Sequence, residues 1–88
     1  MKRLSLRVHG RVQGVFFRVS TQRKAMELGV CGTVRNEPDG TVAIEAEADE
    51  RTLEKFVEWC RNGPSGARVD RVDRVEREPA GYADFGIT

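Results

Sequence analysis

The apolar residues of this chain change their period several times, and each change marks an element. Leu4, Leu6 and Val8 alternate with Ser5 and Arg7, the two-residue period of a half-buried strand. Gly10-Arg11-Val12-Gln13-Gly14 follows, a loop punctuated by two glycines. From Phe17 to Leu28 the chain has no Gly or Pro and is rich in helix formers. Val19, Met26 and Val30 share one face of that helix beside Ala25, and Gly29 is its stop. Residues 30–36, around Thr33 and Val34, read as a second strand. Glu37-Pro38-Asp39-Gly40 is a turn in which Pro presets φ and Gly supplies a positive one. Residues 41–48 alternate again, with Val42, Ile44, Ala46 and Ala48 on one face and Thr41, Glu45 and Glu47 on the other, which completes a hairpin. Asp49 is placed to cap a second helix. In it Leu53, Phe56, Val57 and Cys60 fall at i, i+3, i+4 and i+7, and Gly63-Pro64 ends it.

The stretch 67–78 keeps neither period, because Val69, Val72 and Val75 recur every third residue. β-Branched Val and the closing Pro79 make it an edge strand with a bulge, its charges forming a solvated face. Asp84 to Ile87 alternates and reads as a short last strand. Phe16, Phe17, Phe56 and Trp59 are core candidates. The order β-α-β-β-α-β predicts an α+β, ferredoxin-like split-βαβ sandwich, an antiparallel sheet with two helices on one face. It forms a single domain over residues 1–88, since two domains in 88 residues would each be too small to bury a core. The fold by itself does not specify an activity.

Composition narrows the function. Fifteen Lys and Arg against 14 Asp and Glu leave a net charge of +1, too balanced for bulk electrostatic binding to nucleic acid. RNA binding on the sheet would need exposed aromatics on the central strands, and residues 4–8 and 41–48 carry none. No apolar run approaches a membrane span, and the basic start Met-Lys-Arg-Leu-Ser-Leu-Arg-Val lacks the apolar stretch of a secretion signal. Cys31 and Cys60 read as reduced thiols of a cytoplasmic protein, with Cys60 packing on the helix face. A single His and no cluster of Cys and His give no metal site.

Chemistry concentrates in Gly10-Arg11-Val12-Gln13-Gly14-Val15-Phe16-Phe17-Arg18, which joins a strand to a helix. Such a loop can turn successive backbone N–H groups towards one point, and the helix start adds more of them with a partial positive charge. Arg18 adds a planar fork suited to phosphate or carboxylate. The plainer reading is a tight turn with a solvated Arg. The Gly-Lys-Ser/Thr ending of a nucleotide triphosphate loop is absent. Asn36 ends the second strand, where it either shapes the turn or holds a water by its amide. The loop and the hairpin could approach each other in this fold, but spacing alone does not establish it.

The two stretches resemble the signature of the acylphosphatase family. Gly10, Val12, Gln13, Gly14, Val15, Phe17 and Arg18 match its Gly-x-Val-Gln-Gly-Val-x-Phe-Arg element. Gly32, Val34, Asn36, Asp39, Gly40 and Val42 match its Gly-x-Val-x-Asn-x-x-Asp-Gly-x-Val element. Leu28-Gly29 and the Gly-Pro after the second helix are also similar, whereas Thr33 stands where many members carry an aromatic residue. The resemblance implies hydrolysis of an acyl phosphate to a carboxylate and phosphate, by a cytoplasmic monomer without metal or cofactor. It implies that the loop Gln13, Gly14, Val15, Phe16, Phe17 and Arg18 binds the phosphate through backbone N–H groups. Arg18 would complete that site and Asn36 would orient the attacking water. His9, Glu37 and Asp39 are structural on this reading, while Arg11 and Arg35 could add positive potential. The alternative is a non-catalytic phosphate- or carboxyphosphate-binding module of the same fold; the presence of both Arg18 and Asn36 favours the enzyme.

Overall fold

The computed structural model describes all residues, Met1–Thr88. Its strands are β1 (Lys2–Arg11), β2 (Cys31–Asn36), β3 (Val42–Ala48), β4 (Arg68–Arg77) and β5 (Phe85–Ile87), with helices α1 (Phe17–Leu28) and α2 (Glu50–Asn62). The strands form one sheet in the order β4-β1-β3-β2-β5. β1 pairs antiparallel with β3 and β4, β2 pairs antiparallel with β3, and β5 pairs parallel with β2. The split-βαβ architecture is therefore present, with a mixed edge. The chain leaves β4 at one edge, crosses the open face, and reaches β2 from the far side, where it can only run parallel.

Leu4, Leu6, Val8, Val34, Val42, Ile44, Ala46 and Ala48 bury one face of the sheet under the helices, against Leu53, Phe56, Val57 and Cys60 of α2. Each large apolar side chain contributes about 1.5–3 kcal/mol through burial. Asp49 caps α2, its Oδ1 accepting the Thr52 N–H at 2.8 Å. Burial pushes the Cys60 thiol pKa up, which leaves that sulfur inert. No helix is long and apolar enough to cross a membrane.

The period-three valines have a simple cause. The β1–β4 register shifts from His9↔Arg71 to Gly10↔Val69, leaving Asp70 as the extra residue of a bulge. Without it Val69 and Val72 would point to opposite faces; with it both pack on the core. Val75, opposite Ser5, is exposed. Gly10 has φ +133°, and a Cβ there would lie 2.1 Å from the Arg68 carbonyl oxygen, so the bulge requires glycine.

Two expectations are corrected. The buried face of α1 is Phe17, Thr21 and Ala25, while Val19 and Met26 face solvent. Residues two apart on a helix point about 200° apart, so burying Phe17 beside Trp59 turns Val19 outward. Phe16, expected in the core, is 81% exposed, because it precedes the helix in a left-handed conformation. Glu47 lies on the face of β3 away from the helices, where the alternation placed it, and is nevertheless buried. The segment after β4 covers it, and its carboxylate accepts the N–H groups of Ala80, Gly81 and Tyr82. Arg3 braces the same segment, donating to the Glu78 carbonyl at 3.2 Å and lying over the Tyr82 ring.

Candidate active site

β1 carries the chain past its bulge into the loop before α1, beside the β2–β3 turn. Gln13 ties the two together: its Nε2 donates to the carbonyls of Glu37 at 2.8 Å and Thr41 at 2.9 Å. The approach that spacing left open is thus made by a side-chain amide. Asp39 fixes the turn, its Oδ1 accepting from the Thr41 hydroxyl at 2.6 Å and the Thr41 N–H at 3.0 Å. Those two bonds hold its carboxyl below the usual carboxylate range.

The loop leaves its donors free. No backbone N–H from Gln13 to Val19 finds an acceptor within the protein, and the first hydrogen bond of the helix runs from the Ser20 N–H to the Phe16 carbonyl at 3.0 Å. An ordinary helix start leaves its first few N–H groups unpaired; here the run begins earlier. Phe16, at φ 62° and ψ 25°, is the one non-glycine residue at positive φ. It is the pivot where the loop turns into α1.

Gly14, Phe16, Phe17 and Arg18 line a cleft of about 320 Å³ together with Asn36 from β2. Val12, Val19 and Ile87 complete its wall. Arg18 is exposed and takes part in no ion pair. Asn36 Oδ1 is the one buried side-chain polar atom without a hydrogen-bond partner. Such an atom costs free energy unless a donor fills its place. The cleft thus brings together a loop whose N–H groups are unpaired, an uncompensated guanidinium and Asn36, whose buried Oδ1 lacks a donor.

Gly14, Phe16, Phe17, Arg18 and Asn36 are therefore brought together. The Gln13 and Val15 side chains lie elsewhere, in the bridge to the turn and against the core, and only their backbone N–H groups remain unpaired. The Phe17 ring is buried, with its centroid 5.9 Å from that of Trp59. His9 is engaged with Asp73 at 2.9 Å. Arg35 is paired with Glu37 at 2.8 Å, which spends its charge on the turn, whereas Arg11 is exposed and unpaired. Sequence reasoning missed Val19 and Ile87. Ile87 reaches the cleft because it pairs with Val34, two residues before Asn36, a parallel contact that no local pattern signals.

Comparison with known proteins gives one picture. The Acylphosphatase family model matches residues 4–87. An acylphosphatase of Methylococcus capsulatus is 47% identical over 88 residues, covering 99% of this chain and 96% of that protein. The crystal structure of acylphosphatase from Bacillus subtilis superposes with a TM-score of 0.97 at 38% identity, covering 100% of this chain and 99% of that one. The crystal structure of T. kodakarensis HypF contains a similar unit, with a TM-score of 0.87 and 34% identity, covering 100% of this chain but 12% of that one. With its architecture, both motifs and nearly its whole length matched, the chain belongs to the acylphosphatase family.

Proposed function

We propose that this cleft is where the chain carries out acylphosphatase chemistry, hydrolysing the carboxyl–phosphate anhydride of a small acyl phosphate to a carboxylate and inorganic phosphate. The N–H groups of Gln13, Gly14, Val15, Phe16 and Phe17, with the Arg18 guanidinium, bind the phosphoryl oxygens. The water donates one hydrogen to Asn36 Oδ1, which aims its lone pair at phosphorus. The observation that carries this reading is that Asn36, whose buried Oδ1 has no partner, and the unpaired Arg18 line the same cleft.

The physics suits so sparse a site. As the water oxygen bonds to phosphorus, the bond to the acyl oxygen breaks and its electron pair leaves with the carboxylate. Carboxyl groups have pKa values near ~4, so the leaving group departs without a proton and no general acid is needed. Phosphoryl transfer is loose, and positioning with charge stabilisation supplies most of the catalysis. The water's second proton passes to a phosphate oxygen, because no carboxylate or imidazole of the chain lines the cleft. On this reading neither metal nor cofactor takes part, nucleic acid is no partner, and the chain acts as a cytoplasmic monomer. Two free thiols, Cys31 and Cys60, suit a reducing compartment.

Hydrolysis of an aryl acyl phosphate in oxygen-18 water, with a chelator present, tests the reading. Label should enter phosphate alone. Label in the carboxylate, or loss of turnover to the chelator, contradicts it.

A further inference from the structure

β1 and β2 are not neighbours, because β3 lies between them. The loop that leads to Arg18 continues β1, whereas Asn36 ends β2. How the two stand relative to each other depends on what joins β1 and its loop to the turn 37–41 that follows Asn36. Gln13 is one such tie. Arg7 is another, made from within β1. It alternates with the buried Leu6 and Val8 and so points away from the helices.

The Arg7 side chain reaches three residues of the turn. Its Nη1 donates to the Thr41 hydroxyl at 3.2 Å and to Asp39 Oδ2 at 3.4 Å, and its Nη2 lies 3.9 Å from Glu37 Oε1. The register opens the way across. Arg7, Ala43 and Arg35 stand in one row over β1, β3 and β2. Ala43 puts only a methyl group between the two guanidiniums, and both reach Glu37, Arg35 at 2.8 Å. Arg35 belongs to β2 itself, so its ion pair stays local; the contacts of Arg7 cross the sheet. A planar fork of donors can hold several acceptors at once, which a single ammonium cannot.

We propose that Arg7 is a positioning residue for hydrolysis: gripping Glu37, Asp39 and Thr41 from β1, it fixes Asn36 relative to Arg18 and so aims the water. This rests on the roles given above to Arg18 and Asn36. Arg7 does not line the cleft, so it acts through the turn and not on the substrate. The phosphate-binding donors lie on the continuation of its own strand and stay in place without it, while the turn loses its hold. A displacement of about 1 Å in an aligned group can cost 10²-fold in rate, and a smaller one costs less. The signature is a fall in kcat with phosphate inhibition retained.

The test measures wild type, Arg7→Met, Asn36→Ala and the double variant on a small acyl phosphate, at a temperature where all four are folded. Arg7→Met keeps the apolar stem and removes every donor. It should lower kcat about three- to tenfold, with inhibition by inorganic phosphate within about twofold of wild type. In the Asn36→Ala background the same substitution should change kcat by less than about twofold, because the group it positions is gone. Arg7→Lys should fall between wild type and Arg7→Met. Arg74→Met, which breaks the ion pair with Glu54 at 2.6 Å on the other edge of the sheet, should lower the melt but leave kcat within about twofold. A wild-type kcat in Arg7→Met, an equal loss with and without Asn36, an equal loss in Arg74→Met, or weakened phosphate inhibition overturns the proposal. Should Arg7→Met not fold, Arg7→Lys carries the same comparisons, and a wild-type kcat there overturns it. A low kcat in Asn36→Ala beside an unchanged Arg7→Met means that only the role of Arg7 is wrong. Full kcat in Asn36→Ala means that the placement of the water is wrong, and the role of Arg7 falls with it.

Discussion

Gln13→Ala removes the one side chain that ties the loop before α1 to the turn after Asn36. Two hydrogen bonds are lost, at 2.8 and 2.9 Å. Neither carbonyl is orphaned: Glu37 O still accepts the Gly40 N–H at 3.1 Å and Thr41 O the Glu37 N–H at 2.9 Å. The loss is therefore that of two net hydrogen bonds, about 1–3 kcal/mol, without the larger penalty of a buried unsatisfied group. For a domain of this size each kcal/mol moves the melting temperature by about 4–8 °C, so the melt should fall by roughly 5–20 °C. Gln13→Glu should be worse, because a carboxylate cannot donate and would face two carbonyl oxygens. Turnover should drop as well, since Asn36 and Arg18 are then held less firmly relative to each other, and displacement of about 1 Å can cost 10²-fold. Thermal melts and acyl phosphate turnover measure both effects. A Gln13→Glu variant as stable and active as wild type would refute the assignment of this bridge.

Gly32→Ala should destabilise strongly, by about 2 kcal/mol or more, because a Cβ there would lie 1.7 Å from the Glu45 carbonyl oxygen at a φ of +151°; a denaturant midpoint reads it. Glu47 should govern part of the acid sensitivity. The Ala80 N–H, then those of Tyr82 and Gly81 and the Arg3 charge, hold its carboxyl below the ordinary value despite burial. A lowered folded value means its contribution is fully present above the ordinary glutamate range, ~4.3, and is lost as pH falls through the folded value. Glu47→Gln should therefore melt lower at neutral pH, with the gap from wild type narrowing as the solution is acidified below pH ~4. Asn36→Ala should lower kcat while leaving inhibition by inorganic phosphate in place, because in the proposed mechanism its partner is the water and not the phosphate.

What could be read from the chain was whatever neighbouring residues encode. Leu53, Phe56, Val57 and Cys60 announced α2, and all are buried. The bulge in β4 was visible in the spacing of its valines. The loop and Asn36 were picked out by residue type, and both reach one cleft. What escaped depends on distant partners. The burial of Glu47 was not legible because Ala80 to Tyr82, which cover it, come more than thirty residues later. The tie made by Gln13 and the arrival of Ile87 beside Asn36 are likewise products of topology. Phe16 and Phe17 are adjacent and chemically alike; only the helix start between them sends one to solvent and the other to the core.

The central claim is that Arg18 grips the phosphoryl group beside the water held by Asn36. Arg18→Ala, compared with wild type on a small acyl phosphate, tests it most directly, with inhibition by inorganic phosphate measured on the same samples. Loss of such a placed donor should lower kcat by about 10²–10³ and weaken phosphate inhibition. Full turnover with undiminished phosphate inhibition in a folded Arg18→Ala protein would contradict it.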